Sequence, residues 1–237
     1  MKIAVLTTKT THHAFFVKEI MKEVNNNVDV FLEKKIFLNK FKINHSIDKK
    51  ISNFEKKQCF KKSDSFLSKF NSLQVYNSFN SKKFYNNIKK KKYDLVIVFG
   101  SSILKPKIIN LFKNYIYNLH GGNPEMYRGL DSLYWTIFNN EFNHIVTTLH
   151  LLEKKVDTGK LFLIKKIPLK KNMKFFEIRY HNTVNCINLC KLLISKILKG
   201  KKVALKRQKK IGKYYTAMPA DLKNYCINKF ENYTKNI

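Results

Sequence analysis

The chain has 237 residues, 44% of them apolar, and a formal net charge of +31; that much apolar material fills one generous domain core and excludes a disordered tail protein. The charge alone suggests nucleic acid or an anionic membrane surface, but only Arg128, Arg179 and Arg207 are arginines, and lysine runs with Asn, Ile, Phe and Tyr through the whole chain. So uniform a bias fits a solvated lysine surface or an AT-rich coding sequence before a specific nucleic-acid site, and it equally favours an anionic small substrate.

Residues 3–7 read as a buried first strand rather than a signal peptide, and no apolar run approaches a membrane span. Cys59, Cys186, Cys190 and Cys226 form no C-x-x-C pair, so a reduced, cytoplasmic setting is expected. Ala14, Val17, Ile20, Met21 and Val24 then recur at helical spacing, which gives the strand-turn-helix opening of an α/β sheet. The turn before that helix has no glycine, so a glycine-rich phosphate cradle is missing; His12 and His13 within it either begin the helix or contact a ligand at the sheet's edge. Residues 28–32 predict a second strand. The stretch 33–92 carries the least pattern, with one helix expected around Phe66, Phe70 and Leu73 and another over 84–91. A continuous apolar run over 94–99, closed by Gly100, predicts a strand covered on both faces. Ile103 and Leu104 lead into a short helix at Pro106, a residue compatible with the first helical turn.

Residues 115–120 form the next strand, and the two-residue period puts Asn118 and His120 on one face at its carboxyl end. Gly121, Gly122 and Pro124 break the strand at once, so that backbone can come close to a ligand. Arg128 follows, either holding a carboxylate or phosphate in its planar fork or pinning its own loop to a carbonyl. Asp131 is expected to cap a helix whose apolar stripe is Leu133, Tyr134, Trp135, Ile137 and Phe138, with Trp135 in the core. Residues 145–152, carrying His150, and 160–168 predict two strands joined by the turn Asp157-Thr158-Gly159. So short a connection implies an antiparallel pair and a mixed sheet. Residues 175–198 predict a long helix with Val184, Ile187, Leu193 or Ile194, and Ile197 buried, Cys186 and Cys190 as buried helix positions, and Gly200 at its end. Residues 1–200 are expected to form one catalytic domain, and 201–237 a short basic appendage with a strand-like piece at 203–206.

Asn118, His120 and Asp157 are a set suited to moving an acyl group onto an amine. The order Asn-x-His-Gly, Tyr-Arg-Gly, then His150 seven residues before Asp157-Thr158-Gly159, resembles the folate-dependent formyltransferase family, most strongly over 93–169. That family includes glycinamide ribonucleotide, methionyl-tRNA and nucleotide-amino-sugar formyltransferases. The resemblance implies a Rossmann-like α/β fold: a mostly parallel sheet, helices on both faces, one antiparallel strand and a carboxy-terminal appendage. It implies 10-formyltetrahydrofolate as formyl donor, bordered by Phe99, Gly100, Ile103, Leu104, His150 and Gly159. It also makes Asn118 and His120 stabilisers of the tetrahedral oxygen, with Asp157 removing the amine proton. His12, His13, Gly121, Gly122, Tyr127 and Arg128 are the candidate contacts to the acceptor. No metal spacing is present.

The missing phosphate-loop glycines count against glycinamide ribonucleotide as acceptor. Methionyl-tRNA formyltransferases carry a tRNA-gripping domain of about a hundred residues, longer than the stretch after residue 200. The expected acceptor is therefore an anionic small molecule, the amine of a nucleotide-linked amino sugar, with a homodimer compatible and no membrane partner. A non-catalytic RNA-binding module is the competing reading from another class.

Overall fold

A computed structural model describes residues 1–34, 41–60 and 64–237. Part of the poorly patterned stretch, residues 35–40 and 61–63, lies outside the described residues.

The first half alternates strands and helices: β1 (Ile3–Thr8), α1 (Thr11–Glu23), β2 (Val28–Glu33), α2 (Ile47–Cys59), α3 (Phe66–Asn71), β3 (Val75–Tyr76), α4 (Lys82–Ile88), β4 (Leu95–Phe99) and α5 (Pro106–Ile109). The second half contains β5 (Ile116–His120), β6 (Tyr127–Gly129), α6 (Ser132–Phe138), β7 (Val146–Leu151), β8 (Leu161–Lys166), α7 (Ile178–Leu198), β9 (Lys213–Tyr215) and α8 (Ala220–Lys235). The main sheet has the order β3-β2-β1-β4-β5-β7-β8. Its strands are parallel from β3 to β5, and β7 runs against both of its neighbours. This is the expected fold class: a mostly parallel Rossmann-like sheet with one antiparallel strand.

Alternating side chains explain why the central strands are apolar throughout. In β1, Ile3 and Val5 join one core cluster with Ala14, Val17 and Ile20 of α1 and Leu193 of α7, while Ala4 and Leu6 join the opposite cluster with Phe84, Ile108 and Phe112. Both faces are thus covered, as a parallel sheet requires. The strand order turns back between β1 and β4, and at such a switch point the carboxyl ends of adjacent strands open a crevice. A third cluster joins α2, α6 and α8 through Ile51, Ile137, Cys226 and Phe230.

Several local expectations change. Asp131 does not cap α6: its backbone is left-handed at φ 50°, which turns the carboxylate away to accept from the Met218 amide at 2.9 Å. The predicted helix over 175–198 begins with a separate 3-10 turn, Phe175–Glu177, before α7. On α7, Val184 and Ile197 are only half-buried; Cys186, Ile187, Cys190, Leu193 and Ile194 are buried as expected, and Leu189 joins them. The strand-like piece at 203–206 reduces to a single bridge between Leu161 and Lys206. Trp135 packs its ring 4.9 Å from Tyr215 and donates its indole N–H to Thr216 O, at the margin of the third cluster.

Candidate active site

A cavity of about 640 Å³ opens at the carboxyl ends of β4 and β5. Of the residues singled out from sequence, Gly100, Ile103, Leu104, Asn118, His120, His150 and Asp157 line it. Asn118 and His120 come from β5, His150 from the adjacent β7, where it pairs in register with Asn118. Asp157 arrives on the turn between β7 and β8, so residues far apart in the chain meet because an antiparallel strand was added beside β5.

Asp157 sits between two imidazoles. Its Oδ2 accepts from the Gly129 amide at 2.8 Å and lies 3.4 Å from His120 Nδ1. Its Oδ1 accepts from Asn118 Nδ2 at 3.2 Å and lies 3.3 Å from His150 Nε2. The outer nitrogen of each ring faces a backbone carbonyl, His120 Nε2 at 2.9 Å from Tyr127 O and His150 Nδ1 at 2.7 Å from Leu151 O, so each outer nitrogen is a donor. A carboxylate facing two lone pairs would be repelled by both, so a proton belongs on one of the inner nitrogens. Asn118 Nδ2 lies 3.3 Å from His150 Nε2 and belongs to the same network. The cluster therefore holds a proton next to an acceptor carboxylate inside a cavity, the equipment of general acid–base chemistry.

Burial alone would raise the Asp157 carboxyl; the His120 charge, the His150 hydrogen bond and charge, and the Gly129 amide outweigh it and hold the group well below the usual carboxylate range. The sign for stability follows. A carboxyl depressed by folding contributes stability that is complete above its ordinary value of 3.8 and is lost as pH falls below that value toward the folded one. Comparing the thermal unfolding of wild type and Asp157→Asn should show a wild-type advantage near neutrality that shrinks below about pH 4. An advantage independent of pH would show that the charge of Asp157 does not stabilise the fold.

The remaining singled-out residues are not among those lining the cavity. Phe99 is buried against His13, Phe16 and His12, with ring centroids 4.5, 5.1 and 5.7 Å away. His12 and His13 stand in the first turn of α1, where His13 Nδ1 meets Thr8 Oγ1 at 2.9 Å and Thr10 Oγ1 at 2.8 Å. The close approach that Gly122 permits is to protein: a Cβ there would stand 2.7 Å from Ser132 Cβ and 2.9 Å from His120 Nε2. Gly121 lies near the Asn182 carboxamide. Tyr127 donates its hydroxyl to Glu141 at 2.7 Å. Arg128 spends its fork on backbone, with Nε to Gly212 O at 2.6 Å and Nη1 to Val156 O at 3.0 Å, which matches loop pinning. Gly159 is required by Leu151 O, only 1.8 Å from where a Cβ would sit.

Sequence reasoning passed over several contributors. The Gly129 amide was inside a recognised tripeptide, but a backbone donor leaves no trace in residue type. Glu33, also on the cavity wall, is 3% exposed and accepts from Phe79 N, Ser102 N and Ser102 Oγ at 2.7–2.8 Å. It thereby ties the 100–104 loop to β2. Tyr214, from beyond residue 200, also lines the cavity.

A Rossmann-like sheet with an Asn-His-Asp cluster at its carboxyl edge is the frame of an acyl-type transferase. The family model described as formyl transferase matches residues 1–180, and the chain belongs to that family. It is 32% identical over 106 residues to the methionyl-tRNA formyltransferase of Clostridium beijerinckii, a match covering 45% of this chain and 34% of the relative. Against the methionyl-tRNA formyltransferase of Nostoc sp. it is 34% identical over 74 residues, covering 31% and 21%. The chain thus matches about a third or less of the length of these curated relatives. Among solved structures, it superposes on a sugar N-formyltransferase from Shewanella sp. with a TM-score of 0.61 at 17% identity, covering 91% of this chain and 77% of that one. It is also similar to a formyltransferase from Anoxybacillus kamchatkensis in complex with UDP-4,6-dideoxy-4-formamido-L-AltNAc and tetrahydrofolate, with a TM-score of 0.55, 18% identity and coverage of 95% and 89%. At these identities the structural likeness speaks for the fold.

Proposed function

We propose that this chain transfers a formyl group from 10-formyltetrahydrofolate to a primary amine, with a nucleotide-linked amino sugar as acceptor. The observation that carries the reading is the meeting of Asn118, His120 and Asp157 on one wall of the cavity. Attack of the amine on the formyl carbon forms the new C–N bond, puts negative charge on the formyl oxygen and leaves the attacking nitrogen positively charged with a proton to lose. Collapse then breaks the bond to the donor nitrogen, which takes up a proton and departs as tetrahydrofolate. Donors within the cluster stabilise the oxygen, and Asp157 accepts the amine proton, directly or through water. The contacts among the three groups, at 3.2–3.4 Å, are long, as catalytic hydrogen bonds often are before a ligand tightens them.

For the donor, Ile103 and Leu104 offer apolar surface to the face of a flat ring system, and backbone groups of the 100–104 loop can meet its polar edge. When bound, the folate supplies the activated formyl group; the chain's own residues orient it and move the protons. Lys34, Lys154 and Lys155 also line the cavity and favour ligands that carry carboxylates or phosphates. For the acceptor, structural neighbours that cover 91–95% of this chain were solved with amino-sugar nucleotides or their formamido products. Charged initiator tRNA is the second reading, favoured by the curated relatives.

The test is incubation with 10-formyltetrahydrofolate and a panel of 4-amino and 3-amino nucleotide sugars, glycinamide ribonucleotide and charged initiator tRNA, following tetrahydrofolate release optically. Release only with an amino-sugar nucleotide is expected. Release only with tRNA would move the acceptor, and no release with any amine would remove the transferase reading. In that last case, submicromolar RNA binding that falls steeply with salt would identify an RNA-binding module instead.

A further inference from the structure

The turn that carries Asp157 is held by a residue from beyond the family match. Gln208 donates from Nε2 to Asp157 O at 2.8 Å and to Gly159 O at 2.9 Å. A primary amide nitrogen has two hydrogens, and here each bridges to a carbonyl two residues from the other. Turning the amide over would set Oε1 against those two carbonyl oxygens, so the orientation is fixed by repulsion. That holds even though Gln208 Oε1 is itself buried without a hydrogen-bond partner among the described residues.

The rest of the turn is clamped in the same way. Lys155 O accepts from Thr158 Oγ1 at 3.1 Å and Val156 O from Arg128 Nη1 at 3.0 Å. Asp157 itself has φ 53°, a left-handed conformation uncommon for residues with a Cβ, though Asp adopts it more readily than most. That conformation aims one carboxylate oxygen at Asn118 and His150 and the other at Gly129 and His120. The segment bearing Gln208 is anchored in turn: Lys206 and Leu161 exchange backbone hydrogen bonds at 2.8 and 2.9 Å, Lys209 N donates to Glu125 at 2.6 Å, and β9 pairs with β6.

We propose that Gln208 is a positioning residue for Asp157, and that residues 206–215 belong to the active site although the family model ends at residue 180. Gln208 touches no reacting atom; it sets where the carboxylate points by holding the backbone on both sides of it. The inference deepens the transferase reading and rests on it for its kinetic arm.

The experiment compares wild type, Gln208→Met, Gln208→Ala and Lys210→Met, an exposed neighbour. Hydrogen exchange needs no turnover. The amides of Gly129, bonded to Asp157 Oδ2, and Leu151, bonded to Lys160 O, should exchange at least tenfold faster in both Gln208 variants and at the wild-type rate in Lys210→Met. Unchanged protection in either folded Gln208 variant overturns the proposal, whether or not the protein formylates anything. With an accepted amine, kcat should fall tenfold or more in the Gln208 variants while both KM values stay within twofold. A retained kcat, or a rise in KM alone, would show that the brace does not position Asp157. Absence of turnover in wild type would instead count against the transferase reading, leaving the exchange result to decide the brace.

Discussion

Asn118→Leu is expected to lower kcat by roughly a hundred- to a thousandfold, the usual cost of one hydrogen-bond donor aimed at a developing oxyanion, while the circular dichroism and cooperative unfolding remain those of wild type. Leucine keeps the branched heavy-atom skeleton of asparagine at a half-buried position on β5, where there is cavity beside it for the bulkier methyls, and removes the Nδ2 that now reaches Asp157 and His150. Asp157 keeps the Gly129 amide and the His120 and His150 rings, so its charge stays compensated and the fold survives. Because the three groups share one proton and one carboxylate, the losses should not multiply. An Asn118→Leu/Asp157→Asn double variant should be little slower than the more damaged single variant, as for residues that act as a unit. Single-turnover kinetics with saturating folate checks both statements. A near-wild-type kcat in Asn118→Leu would remove Asn118 from the chemistry, and fully multiplicative losses would mean that the two residues act independently.

The parts of the fold and site legible in sequence were those whose signal is local. Strands such as β1 and β4 show as apolar runs because helices cover both faces. Asn118 and His120 share a face because two residues of strand separate them, and the Asp157-Thr158-Gly159 turn shows because glycine and aspartate mark turns. What was missed depends on partners distant in the chain. Helix α2 was hidden because its buried face, Ile47, Ile51, Glu55 and Cys59, includes a carboxylate and sits among lysines. Asp131 has the residue type of a helix cap, but a left-handed backbone and the amide of Met218 redirected it. Gln208 reads as one polar residue in a basic turn, and its role exists only where the carbonyls of residues 157 and 159 come to it. The fork of Arg128 fitted an anion as well as a carbonyl until Gly212, 84 residues later, was seen beneath it.

The same dependence on distant partners sets the largest expected effect on stability, at Arg179 of α7. Glu55 of α2 has a side chain that is 0% exposed, and Arg179 meets it with both arms of its fork, Nε to Oε1 at 2.6 Å and Nη2 to Oε2 at 2.9 Å. Arg179→Met should keep the stem packed and strand a buried carboxylate, a change that typically costs about 3–5 kcal/mol. The Arg179 side chain is 34% exposed, and water reaching that side places the loss toward about 3 kcal/mol. For a domain of this size that lowers Tm by roughly 6–12 °C. Glu55→Leu/Arg179→Met should recover most of the loss, because a matched apolar pair leaves no charge to solvate. Chemical unfolding of the single and double variants at about pH 8 measures both effects. A deficit under about 1 kcal/mol at pH 8 would place this ion pair among the surface pairs that contribute little, and the junction of α1, α2 and α7 would then rest on its apolar contacts alone.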